Sequence, residues 1–155
     1  MKDNEPIISN KPICVLLADD DSDDRHFFEK AIKTLPIATI LATVQDGEEL
    51  MNYLNKNFDI LPDVLFLDIN MPKKNGLECL VEIQQNLKLK DLPVIIYSTS
   101  LHDDVADLLY NKGAYYYVRK NDIAELKMVL HHILTLLAEN RFIRPVQKEF
   151  IFSLA

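Results

Sequence analysis

The chain has 155 residues, enough for one domain that buries roughly two-thirds of its unfolded surface. Its 17 Lys and Arg stand against 24 Asp and Glu, a net charge of -7 that argues against nucleic acid or an anionic membrane as the main partner and suits cations or basic surfaces. No apolar run approaches the ~18 residues of a membrane span and the first ten residues lack a signal-peptide pattern, so a cytoplasmic protein is expected.

Residues 1–10 contain Pro6, several charges and no periodicity, and read as a flexible leader. Residues 13–18, ICVLLA, form a continuous apolar run that stops at Asp19, Asp20 and Asp21, which predicts a buried strand and an acidic turn. Ser22 is the expected helix cap, and Phe27, Phe28, Ala31, Ile32 and Leu35 follow at helical spacing until Pro36. Asp21, Asp23 and Asp24 read as acids favoring the helix dipole, outside any site. Residues 38–44, ATILATV, predict a second strand, with a turn at Asp46-Gly47 and a short helix around Leu50, Met51 and Leu54. The run VLFL, residues 64–67, reads as a central strand buried on both faces and ends at Asp68. A polar loop to Gly76 and a helix carrying Leu77, Leu80, Val81 and Ile83 come next.

Residues 93–97, PVIIY, predict a fourth strand running into Ser98, Thr99 and Ser100. A helix from about His102 to Asn111, closed by Gly113, leads to a fifth strand over 115–118 that ends at Arg119 and Lys120. A long last helix carries Ile123, Leu126, Val129, Leu130, Ile133, Leu134 and Leu137. Cys14 and Cys79 lie in apolar segments without metal-ligand spacing and read as reduced core residues, a disulfide being the lesser alternative. The division is thus a leader over 1–10, a domain over 11–139 and an apolar extension over 140–155, whose Phe142, Ile143, Val146, Phe150, Ile151 and Phe152 are too sticky for a linker.

Five strands alternating with five helices predict right-handed βαβ units: an α/β, doubly wound, flavodoxin-like (βα)5 sandwich with a parallel sheet in the order 2-1-3-4-5. In that order the polar strand ends meet, bringing Asp19 and Asp20, Asp68, Ser98 and Lys120 together. Packed carboxylates repel one another unless a cation intervenes, and hard divalent ions prefer oxygen ligands, so the set predicts a Mg²⁺ site prepared for a phosphoryl group.

Four motifs stand in order at predicted strand ends: the acidic pair of LLADDDSDD, the aspartate of LFLDINMPKKNG, Ser98 of PVIIYSTS and the lysine of GAYYYVRK. Over residues 11–138 the chain resembles the CheY-like receiver domain of two-component response regulators. The wording DINMPKKNGLE and LPVIIYSTS is similar to the stand-alone receivers that include partners of bacterial phytochrome kinases. The resemblance implies a single-domain response regulator, not an enzyme, that accepts a phosphoryl group on Asp68 from a sensor histidine kinase, the phytochrome type being one candidate, or exchanges it with a histidine phosphotransfer protein. It implies Mg²⁺ held by Asp20 directly, Asp19 through water, Asp68, and the Asn70 backbone carbonyl. Ser98 would bond the phosphoryl oxygen, Lys120 would pair with Asp68 and then with the phosphoryl group, and Tyr117 would be the aromatic switch that turns inward as Ser98 moves. Asn70 and Ser100 hold positions that tune water access, and both being small and polar points to a moderate phosphoryl lifetime.

The family usually places proline, often cis, after the lysine; here Asn121 follows Lys120. A non-proline cis bond costs ~3 kcal/mol, so either the loop bears that strain or the lysine arrives by a trans route. No further output domain is expected, and the outlet for the signal is protein contact, including a homodimer through helix 4, strand 5, helix 5 and the extension; the alternatives for the extension are docking on its own domain or on a kinase. Two alternatives remain: a haloacid-dehalogenase-type phosphotransferase, disfavored because Asn70 stands where a second catalytic aspartate is needed, and a degenerate receiver serving as scaffold.

Overall fold

The computed structural model describes residues 11–99 and 101–153, so the leader expected over 1–10, Ser100, and Leu154 and Ala155 lie outside the described residues. Five apolar runs form β1 (Ile13–Ala18), β2 (Thr39–Val44), β3 (Val64–Leu67), β4 (Val94–Ser98) and β5 (Tyr116–Arg119). They alternate with α1 (Ser22–Lys33), α2 (Gly47–Lys56), α3 (Gly76–Gln85), α4 (Asp103–Asn111) and α5 (Ile123–Ala138). All pairings are parallel and the order is β2-β1-β3-β4-β5, the doubly wound arrangement the alternation predicts.

Side chains alternate across the strands, so Leu16, Leu65, Leu67 and Ile96 fill one face while Val15, Leu17, Phe66 and Ile95 fill the other. The first set packs under α2, α3 and α4 against Leu50, Leu54, Leu80, Ile83 and Leu109. The second packs under α1 and α5 against Phe28, Ile32, Leu130 and Ile133, with Phe28 edge-on to Phe66 at 5.1 Å between ring centroids. Each such side chain contributes about 1.5–3 kcal/mol by leaving water. Cys79 lies in the first core, but Cys14 is only half-buried and belongs to neither core cluster, and both thiols are free.

Local capping sets the helix starts. Asp21, not Ser22, caps α1: its backbone is extended and its carboxylate accepts from the Asp23 and Asp24 amides, which leaves Ser22 as the first helical residue. The Asp46-Gly47 pair likewise starts α2, with Asp46 accepting from the Glu49 amide. Asn75 and Glu78 form a reciprocal capping box on α3. Gly76 at its first turn lies against the preceding loop, where a Cβ would stand 2.3 Å from the Asp68 carbonyl oxygen. His102 occupies the N-cap position of α4 without a side-chain capping bond, and β5 runs one residue later than expected, to Arg119.

After α5 the chain reverses. Asn140 takes a φ of 56°, and the Asn140 and Arg141 amides bond back to the Leu137 and Leu136 carbonyls, closing the helix as a Schellman motif. The segment then runs over α4 to the open edge of β5, through a 3₁₀ turn at Gln147–Glu149. There Ile151 bridges Tyr117 in parallel, extending the sheet by one short pairing. Phe150 is 3% exposed and meets Tyr110 edge-on, while Phe142 packs on Tyr115 and Tyr116, and Phe152 on Tyr116 and His132. Of the fates expected for the extension, the structure shows docking on its own domain. Leu108, Ile143, Val146 and Ile151 nevertheless remain exposed.

Candidate functional site

The parallel register places the functional residues at one end of the sheet. Ala18 pairs with Leu67, and the Asp68 amide donates to the Ala18 carbonyl at 2.9 Å, so Asp19 and Asp68 leave neighboring strands at the same level. Ser98 ends β4 opposite Arg119, and the Lys120 amide donates to the Ser98 carbonyl at 2.9 Å. Asp19, Asp68 and Ser98 are buried and Asp20 is exposed at the rim. Oxygens of Asp19, Asp20 and Asp68 lie within 4.8 Å of one another.

Lys120 Nζ reaches into this cluster, 2.9 Å from Asp19 Oδ2 and 3.3 Å from Asp68 Oδ2. No peptide bond is cis among the described residues, so the trans route delivers the lysine although Asn121 replaces proline. A third carboxylate shares the ammonium: Asp24 Oδ2 also lies 2.9 Å from Nζ. The sequence pattern assigns Asp24 to the helix start alone, and the structure corrects this by adding it to the site. A signal was present, because Asp24 precedes the buried Phe28 by one helical turn and so shares the stripe of α1 that faces the sheet.

Burial pushes the Asp68 carboxyl up to about 6, an effect the Lys120 charge opposes and the Asp19 charge reinforces. For Lys120 burial works against the charged form, but contacts with Asp19, Asp24 and Asp68 outweigh it and hold the ammonium well above its usual range. The Asp19 carboxylate is held on one side only. Its Oδ1 accepts from the Asp21 amide at 3.0 Å, whereas Oδ2 makes an ion contact with Lys120 but has no hydrogen bond of proper direction. A buried anionic atom left in that state suits a further cation.

Asn70 stands on the loop beyond Asp68, with its amide 3.4 Å from Asp68 Oδ1. Tyr117 is buried, with its ring turned inward and its hydroxyl donating to the Ser98 carbonyl at 3.1 Å. Thus the described structure unites Asp19, Asp20, Asp68 and Lys120 directly, and ties in Ser98 and Tyr117 through the backbone. A cleft of about 350 Å³ opens beside them, lined by Asp24, Phe27, Thr99, Lys120 and Ile123.

Residues 15–131 match the model of the response regulator receiver domain. The chain belongs to that family. Response regulator Rcp1 of Synechocystis is 33% identical over 117 residues, which cover 73% of this chain and 80% of that protein. The structure of the Mn(2+)-bound form of Rcp1 aligns with a TM-score of 0.74 at 29% identity, over 87% of this receiver and 100% of that chain. The phosphorylated cyanobacterial phytochrome response regulator RcpA aligns equally well, with a TM-score of 0.74 at 29% identity over 82% of this receiver and 94% of that chain. A probable C4-dicarboxylate response regulator of Bacillus subtilis, DctR, is 34% identical over 106 residues, 68% of this chain but 45% of its own length. These similarities place the receiver among two-component signaling proteins, and among its described helices none is long and apolar enough to cross a membrane.

Proposed function

We propose that this receiver takes a phosphoryl group on Asp68 from the phosphohistidine of a sensor histidine kinase and signals through protein contacts in the cytoplasm. The observation that carries the reading is the buried Asp68 carboxylate at the end of β3, 3.3 Å from Lys120 Nζ and clustered with Asp19 and Asp20. The residues fit Mg²⁺, since three carboxylates converge and Asp19 Oδ2 lacks a hydrogen bond. Asp20 and Asp68 would hold it directly, Asp19 through water and Asn70 through its carbonyl. When bound it neutralizes phosphoryl oxygens that would otherwise be repelled by the acids.

In the transfer an Asp68 oxygen attacks phosphorus while the P–N bond breaks; the electron pair leaves with the imidazole nitrogen, which takes up a proton. Lys120, already among the acids, follows the charge from the carboxylate to the new phosphoryl oxygens. The Ser98 hydroxyl, at the neighboring strand end, bonds one of those oxygens, and Tyr117 stays inward behind it. A phytochrome-type kinase is the partner this reading favors, supported by the likeness to RcpA, and a histidine phosphotransfer protein presents the same chemistry.

The test is binding of beryllofluoride with Mg²⁺ to wild type and Asp68→Asn, with molecular mass followed in the same samples. Wild type alone is expected to bind. A mass change on binding identifies a homodimer through α4, β5, α5 and the tail as the output, and failure of both proteins to bind leaves a scaffold in place of a switch.

A further inference from the structure

The segment after α5 reaches the acceptor site through Tyr117. The Tyr117 amide donates to the Phe150 carbonyl and the Phe152 amide donates to the Tyr117 carbonyl, both at 2.8 Å. Its side chain points the other way, and the hydroxyl donates to the Ser98 carbonyl at 3.1 Å. That carbonyl also accepts from the Lys120 amide at 2.9 Å. A continuous run of hydrogen bonds therefore leads from the tail through Tyr117 and Ser98 to the lysine that contacts Asp68. Phe150 anchors the outer end, buried in the same apolar cluster as Tyr117. Its approach is fixed by the Tyr110 hydroxyl on the Pro145 carbonyl at 2.8 Å, by Arg144 on the Ala114 and Tyr110 carbonyls, and by Gln147 on Asp107 at 3.1 Å.

We infer that the tail is a strap that positions the acceptor pocket: docked on β5, it holds Tyr117 inward and so preorganizes Ser98 and Lys120 for a phosphoryl group. Phe150 is then a positioning residue, touching no reacting atom. The inference rests on the reading of Asp68 as acceptor. Without the strap, both backbone groups of Tyr117 lose their partners at the sheet edge, and the ring is free to leave the Ser98 carbonyl. A pocket that must be reordered binds more weakly, and by reciprocity an occupied pocket tightens the strap.

The test titrates full-length protein with beryllofluoride at fixed Mg²⁺, comparing wild type with Phe150→Ala, Phe150→Leu and Phe152→Pro. The proline variant removes the edge donor and, with the partly buried ring, the contacts on Tyr116 and His132, but none of the fully buried side chains, and thermal melts of each variant separate weak binding from a folding defect. Affinity is expected to fall about tenfold, within the usual range of coupling between sites, in Phe150→Ala and Phe152→Pro, and to return largely in Phe150→Leu. Conversely, beryllofluoride should slow tryptic cleavage after Arg141 and Lys148 several-fold in wild type and leave Asp68→Asn unchanged. Equal or tighter binding by the tail variants overturns the strap and leaves the acceptor reading standing. Absence of binding by wild type overturns the acceptor reading, and the strap with it.

Discussion

Asp68 carries its chemistry at a cost in stability that pH makes visible. Its folded-state pKa lies above the ordinary carboxylate value, so the neutral form is favored by folding: the stabilization is complete below about pH 4 and lost as pH rises through about 6. Asp68→Asn, which cannot ionize, should therefore be more stable than wild type at pH 7 without metal, on the order of 2 kcal/mol, and lose that advantage near pH 4. Urea melts across that range check the sign. Lys120 poses the opposite case. Removing it strands the fully buried Asp19, and Lys120→Met should cost about 3 kcal/mol in chelator. Millimolar Mg²⁺ should recover part of that loss, since it supplies the cation the acids lack; an unchanged gap in thermal melts would show that the cluster has no use for one. Asp24 belongs to this balance as the third partner of the ammonium. Its place was readable from the α1 stripe, whereas the trans route of Lys120 past Asn121 was not, because no spacing argument fixes a peptide isomer.

Among the elements, the short connection from β3 to α3 decides how accurately Asp68 is held. The Gly76 amide donates to the Ile69 carbonyl at 2.8 Å, and the absence of a Cβ lets α3 start against the Asp68 backbone. Gly76→Ala should destabilize by about 1–3 kcal/mol through overpacking and weaken beryllofluoride binding together, read from denaturant midpoints and titration on the same protein. Strands and helices were legible here because buried parallel strands are continuous apolar runs and each charge after them marks a strand end. Boundaries slipped where a cap competes with its neighbor, as at Asp21 and Ser22, or where β5 extends to Arg119 under the pairing of Ser98. The course of the tail was not legible. Its apolar residues showed that it must pack, but the turn at Asn140 and the pairing with Tyr117 depend on a sheet edge that exists only once the domain has folded.

At the scale of the whole molecule, a ligand that binds only the folded receiver raises its stability by mass action. Beryllofluoride with Mg²⁺ at a hundred times its dissociation constant should add about 2.7 kcal/mol to unfolding of wild type and nothing to Asp68→Asn, a difference seen directly as a shift in melting temperature. The tail bears on a separate property of the molecule. Beneath it lies a run of three tyrosines and a valine, residues 115–118, uncharged and suited to extended structure. By pairing with Tyr117 and covering Tyr115 and Tyr116, the segment denies that run to strands of other molecules. Beyond the weaker binding read in dilute titrations, loss of the tail should thus show itself in a concentrated sample as fibrils or turbidity on storage.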